Sequence, residues 1–237
     1  MRWILLALLA LLIPCQTVFA NQTLKVAVNI GPPWAFYEEE QGVIGIDVDI
    51  ITHVLNSLGY DAEFHLLAYS RLINDFNAGK YDIASPAAFE SDVGSLSDVY
   101  LPFKDVAISL KRKNFDIDDV EDLKGKTIVA YQSATQVLGP EFADVVQNEN
   151  YLELAEREIQ IKLLVNERTD VVVGECRLLS YIVQKNYPNV EVVIHPIFRE
   201  ISYGAIIQDP ILQQQFNSEL KNMMASGRFQ EILSRWP

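Results

Sequence analysis

Apolar positions along the chain fall alternately into short runs and into stripes at helical spacing. LKVAV (24–28) reads as a buried strand. Ile46, Ile50, Ile51, Val54, Leu55 and Leu58 then recur at helical intervals, and Gly59 stops that helix. AEFHLL (62–67) predicts a strand, RLINDFNAG (71–79) a short helix with its own glycine stop, and YDIA (81–84) a further strand. Strand–helix–strand–helix–strand order argues for a mostly parallel sheet covered by helices, hence an α/β fold.

A second unit of the same kind follows. DVAISLKRK (105–113) predicts a strand, NFDIDDVEDLKGK (114–126) a polar connector with a helical turn, and TIVAY (127–131) a strand. Gln132-Ser133-Ala134-Thr135 would open a helix. EREIQIKLLVNE (156–167) and RLLSYIVQKNY (177–187) read as helices flanking the buried strand DVVVGE (170–175). VEVVIH (190–195) is another strand, YGAIIQ (203–208) an apolar run, and a final helix is expected from about Pro210 to Leu233. No internal repeat is visible, yet two α/β units stand in tandem.

The first twenty residues lie outside this pattern. Arg2 precedes the apolar ILLALLALLI (4–13), Pro14 breaks it, and Val18-Phe19-Ala20 offers a cleavage site before Asn21. That is the form of a secretory signal peptide. It is shorter than the roughly 20 apolar residues of a spanning helix, and no later segment qualifies, so a soluble exported protein is expected. Cys15 follows "LIP", whose Ile and Pro do not suit lipid attachment. Cys176 is then the single cysteine of the mature chain, which leaves no intrachain disulfide. It reads as a small buried hydrophobe.

At 237 residues, 49% of them hydrophobic, the chain suits one large domain or two small ones. A formal charge of −13 argues against a nucleic-acid surface. His53, His65 and His195 stand apart from one another and from Cys176, without metal-ligand spacing. No G-x-S-x-G elbow, P-loop or G-x-G-x-x-G is present. Nothing in the residues calls for a metal, a cofactor or an enzymatic activity.

One stretch asks for a use. GPPWAFY (31–37) places Trp34, Phe36 and Tyr37 on a segment that two prolines keep out of a helix or a central strand. In order along the chain, "GPPWAF", "GVIGIDVDII", "LINDFNAGKYDI", "LSDVYLPF", "DLKGKTIVAYQSAT", "RTDVVVGE", "YGAII" and "LKNMMASGRFQEILSRW" follow. Together they resemble the periplasmic solute-binding proteins of family 3, the polar amino-acid type, over nearly the whole mature chain.

The resemblance implies two lobes with a ligand cleft between them. Lobe 1 would comprise 21–108 and 203–237, lobe 2 109–202, with hinge strands near 106–110 and 199–205. Ligands of such sheets bind beyond the carboxyl ends of strands, so the aromatic loop would face the cleft, with Trp34 and Tyr37 as stacking groups. The Ser133–Thr135 turn would hold an anion on backbone N–H groups and the Thr135 hydroxyl, or simply cap a helix. Glu175 aligns with the acid that receives an α-ammonium, and Asp47 and Asp49 read as structural at a helix start. Ser85 and Ala87, after the YDI strand, join the expected ligand contacts. The arginine that clamps a ligand carboxylate in amino-acid binders is missing from "SPAAFESDVGSLSDVY", its place falling near Glu90. Arg71 is the candidate substitute. The implied protein is a periplasmic, monomeric receptor for an amino acid or amino-acid-like molecule, serving an ABC permease or a membrane receptor. An enzyme of the cyclohexadienyl dehydratase kind on the same scaffold, or a sensor component, are the alternatives.

Overall fold

Two five-stranded sheets, each covered by helices on both faces, make up the computed structural model, which describes residues 21–89, 91–147 and 150–236. The expected leader (1–20) and Glu90 lie outside the described residues. The chain opens with β1 (Gln22–Asn29), the hairpin strands β2 (Phe36–Glu38) and β3 (Gly42–Ile44), α1 (Ile46–Ser57), β4 (Tyr60–Leu67), α2 (Tyr69–Asn77), β5 (Ile83–Ser85) and β6 (Ser95–Leu96). It then passes through β7 (Leu101–Phe103) into β8 (Asp105–Leu110). The second half adds β9 (Ile128–Ala130), α3 (Ala134–Val137), α4 (Pro140–Val145), β10 (Tyr151–Glu153), α5 (Arg157–Val165), β11 (Val171–Glu175), α6 (Cys176–Asn186) and β12 (Val192–His195). Return is through β13 (Ile201–Tyr203) to β14 (Ile206–Ile207), α7 (Pro210–Ala225) and α8 (Arg228–Ser234).

The first sheet has the order β4-β1-β5-β14-β6, with β1 parallel to β4 and β5. The second has the order β10-β9-β11-β8-β12, with β9 parallel to β10 and β11, and β8 antiparallel to β11 and β12. Strand alternation feeds both faces. Val26 and Val28 join the core under α1, α7 and α8, while Ala27 joins Phe76 of α2. Val171 and Val173 face the Phe142 side, and Val172 faces α5 and α6. Strands covered on both sides lose polar alternation, which is why they are legible as apolar runs.

The lobes are joined by β7 and β13, which pair antiparallel with Tyr203 opposite Leu101 and Ile201 opposite Phe103. The chain changes sheet around Lys104, because β8 is already laddered to β11 from Asp105 onward. The expected boundary at 108 therefore falls inside a strand of the second sheet. Three other segments differ from expectation. The strand expected over 105–113 stops at Leu110, where Lys111–Lys113 form a 3-10 turn and Asn114 takes a left-handed φ of 48°. The C-terminal helix is two helices, parted at Gly227 with φ 82°. YGAIIQ is split at Gly204, where a Cβ would come within 2.6 Å of Ser97 Oγ and 2.9 Å of the Asp98 carbonyl. His195 is buried, its ring bonded to the Ser109 hydroxyl at 2.8 Å and the Ile117 carbonyl at 3.2 Å.

Candidate functional site

A cleft of about 610 Å³ lies between the two sheets. Its walls come from the carboxyl ends of strands: Asn29 to Pro32 and Trp34 after β1, Pro86 after β5, Tyr131 after β9, Ala155 to Glu158 after β10, and Glu175 at the end of β11. Phe103, Asp105 and Tyr203 line it from the connecting strands.

Trp34 is set by its own loop. The Ile46 and Asp47 N–H groups, which open α1 and have no partner inside it, donate to the carbonyls of Pro33 (2.9 Å) and Trp34 (3.0 Å). That approach requires Gly45: its φ is 142°, and a Cβ there would lie 2.2 Å from the Trp34 carbonyl oxygen. The buried Trp34 ring stacks on Phe103 with centroids 4.6 Å apart. Its indole Nε1 donates across the lobes to Glu175 Oε2 at 3.0 Å.

Glu175 also caps α6. Leu178 N–H donates to Oε2 at 2.8 Å and Arg177 N–H to Oε1 at 3.2 Å. Burial pushes its carboxyl upward, and the Trp34 indole and these two N–H groups pull against that. Asp105 stands opposite Glu175 across β8 and β11. It too is pushed upward by burial, opposed by the Tyr131 hydroxyl, which donates to Oδ2 at 3.1 Å. Arg157 lies over the Tyr131 ring at 5.2 Å and is the single cation among the described cleft residues, against Asp47, Asp105, Glu156, Glu158 and Glu175.

The expected contacts divide. Trp34 and Glu175 line the cleft, bonded to each other. Tyr37 does not: it sits on the β2–β3 hairpin, 65% exposed. Phe36 packs against Tyr181 and Trp236. Arg71 lies on α2 with its side chain 71% exposed and paired with Asp75 at 3.2 Å, away from the cleft lining. Ser85 is fully buried behind the wall, bonded to the Tyr100 hydroxyl at 2.9 Å. Ala87 spends its N–H on the Gly204 carbonyl at 2.8 Å. The Ser133–Thr135 turn does hold an anion, but it is the chain's own. Glu153 accepts from Ser133 N–H at 2.7 Å and from the Thr135 N–H and hydroxyl, each at 3.4 Å. Burial pushes Glu153 up, and these bonds with that from the Tyr151 hydroxyl hold it below its ordinary value.

Asp47 is buried (1% exposed), accepts the Tyr100 hydroxyl at 2.8 Å, and burial pushes its carboxyl up to about 6. Asp49 accepts the Trp236 indole at 3.2 Å. Cys176 is half-buried at the start of α6, its thiol pushed up by burial.

Sequence reasoning missed Phe103, Asp105, Tyr131, Arg157 and Tyr203. One signal was available for Arg157. It is the first residue of α5, where a cation opposes the helix dipole, a placement that helix stability alone does not favour.

A profile of the bacterial extracellular solute-binding proteins, family 3, matches residues 24–237. The arginine-binding periplasmic protein of Mannheimia haemolytica is 23% identical over 239 residues, covering 97% of each chain. Among solved structures, the GluR0 ligand-binding core in complex with L-glutamate superposes with a TM-score of 0.74 at 24% identity, covering 91% of this chain and 98% of the other. The ancestral amino-acid-binding protein AncCDT-1, a precursor of cyclohexadienyl dehydratase, gives 0.71 at 22% identity, covering 90% and 94%.

Proposed function

This chain belongs to the bacterial extracellular solute-binding proteins of family 3 and is a solute-binding protein, and from that premise we propose that it traps an amino acid or amino-acid-like molecule for an ABC permease. The observation that carries this reading is the cleft: about 610 Å³ between two lobes, at the carboxyl ends of strands from both sheets. Two connecting strands give the lobes an axis about which to close. A solute that touches both walls stabilises the closed arrangement by its differential contacts. The protein acts in the periplasm after cleavage behind Ala20, and it binds without converting its ligand.

A thermal-shift screen against a metabolite library tests this. A ligand at 100 times its Kd adds about 2.7 kcal/mol, which is readily seen. Absence of any stabilising compound would count against the reading. A second reading, an enzyme on the same scaffold, has one observation in its favour. Asp47, Asp105 and Glu175 line the cleft with carboxyl groups that burial pushes upward, which is the condition a general acid needs. Mass-spectrometric detection of a product from a bound ligand would replace the first reading with the second.

A further inference from the structure

Resting on the solute-binding reading, we propose that Asp105 and Arg157, at the hydroxyl and over the face of Tyr131, receive the ammonium and the carboxylate of a zwitterionic amino acid. The other polar groups expected to serve are already committed. Glu175 accepts three hydrogen bonds, one of them from the opposite lobe. A ligand ammonium there would compete with the Trp34 indole. The donors of Ser133 and Thr135 are filled by Glu153, and Arg71 points to solvent with Asp75 as its partner.

Asp105 and Arg157 are different. Both line the cleft and both are half-buried. Asp105 takes a single side-chain hydrogen bond, on Oδ2, from Tyr131, and a carboxylate has acceptor sites for several. Arg157 spends Nη1 on the carbonyls of Leu154 (3.3 Å) and Ala155 (3.0 Å). No carboxylate of the described residues lies within ion-pair distance of it, and Nη2 and Nε remain to donate. Asp105 and Glu158 reach it only through space; a desolvated guanidinium without a hydrogen-bonded carboxylate is costly, and a ligand carboxylate supplies that bond, bidentate in geometry. Tyr131 holds the pair apart: its hydroxyl fixes Asp105 and its face carries Arg157. The two charges act on each other through space but form no ion pair, so each keeps hydrogen-bonding capacity for one end of a small molecule.

The rim selects what lies beyond the charged end. Ile30, Val137 and Ile201 are large apolar side chains that line the cleft and stay exposed. They offer an apolar side chain a surface to cover. Glu156 and Glu158 at the same edge are exposed, so solvent screens them.

Calorimetry on the mature protein with the twenty standard amino acids, and with the carboxamide and N-acetyl forms of the tightest binder, tests the pair. Wild type should prefer the free amino acid over each blocked form by roughly ten- to a hundredfold. Arg157→Gln should erase the preference over the carboxamide and keep that over the N-acetyl form. Asp105→Asn should do the converse. A merely structural role would weaken all three ligands together, and that result would overturn the proposal. So would variants that keep both preferences, or a variant at Glu175 (Glu175→Gln) that erases the amine preference in place of Asp105→Asn. If no amino acid binds, this inference fails, and the wider solute-binding reading then stands or falls on the metabolite screen.

Discussion

Asp47→Asn should stabilise the protein at neutral and alkaline pH and do little at acidic pH. The side chain is buried and its carboxyl is held at about 6 against an ordinary 3.8, because burial outweighs the hydrogen bonds from Ser85 and Tyr100. A carboxyl raised in the folded state binds its proton better there than in the unfolded chain. Its contribution to stability is therefore full below 3.8 and is lost as pH rises through about 6. Moving one carboxyl that far corresponds to about 3 kcal/mol, at about 1.4 kcal/mol per pH unit. That is a large share of the 5–15 kcal/mol by which domains are stable. Asparagine resembles the protonated acid in shape and can still accept from the Tyr100 hydroxyl. The wild-type profile alone does not isolate this effect. Asp75, Asp122, Glu153, Glu167 and Glu231 are held below their ordinary values and lose stability on acidification. The difference between variant and wild type does isolate it. Urea unfolding of both proteins at pH 4 and pH 8 should show the difference growing by about 2.4 kcal/mol towards pH 8, the remainder being lost already by pH 4. A difference that does not change with pH would refute the reasoning, and would mean that Asp47 titrates in place as it does in water.

Three further outcomes are expected. Trp34→Phe keeps the stack on Phe103 but removes the donor to Glu175; it should cost about 1.5–3 kcal/mol by urea unfolding and enlarge the unliganded radius of gyration in solution scattering. Gly45→Ala forces a Cβ to within 2.2 Å of the Trp34 carbonyl at a φ of 142°; a loss of at least about 3 kcal/mol is expected, and wild-type stability would show that the Trp34 loop yields. Arg71→Ala removes an exposed partner of Asp75; it should leave ligand affinity unchanged by calorimetry, and a tenfold loss would return Arg71 to the site.

The parts of the fold visible in the sequence are those where a single periodicity dominates. Strands β1, β5, β9 and β11 are covered on both faces, so their apolar runs stand out, and α1 shows an unbroken stripe from Ile46 to Leu55. The hairpin β2–β3, β10 and α4 are short and mostly half-exposed or made by a few buried residues, and no period develops over three to six positions. The site was legible only where a residue's neighbours along the chain define its surroundings. Trp34 and Glu175 each end a recognisable strand or loop, and each reached the cleft. Tyr37 left it because the backbone turns into a hairpin after Ala35. Glu153, 18 and 20 positions from Thr135 and Ser133, fills their turn through the pairing of β10 with β9. No local pattern announces a contact made by a strand pairing.

The two walls of the cleft differ in kind, and this bears on how it works. The first lobe and the connector present a stacked aromatic surface, Trp34 on Phe103, with Tyr203 edge-on to Phe103 at 5.5 Å. The second presents the charges: Asp105 and Arg157 around Tyr131, and Glu175 opposite Asp105 in the sheet. On the proposed reading a solute is oriented first by the charged wall, and closure then brings the aromatic wall over it, which removes water and strengthens the same charge contacts. Closure has a cost in this chain that the solute does not meet alone. The Trp34–Glu175 bond and the packing of Phe36 on Tyr181 join the lobes through the chain's own side chains. Each such contact is one that the solute need not supply, so the residues at 34, 36, 175 and 181 bias the closing equilibrium. A ligand shifts that equilibrium only by the contacts it adds. On the proposed reading, affinity can therefore be tuned at Trp34 or Phe36 without touching Asp105 or Arg157, while recognition of the ligand's zwitterionic end stays with the charged pair.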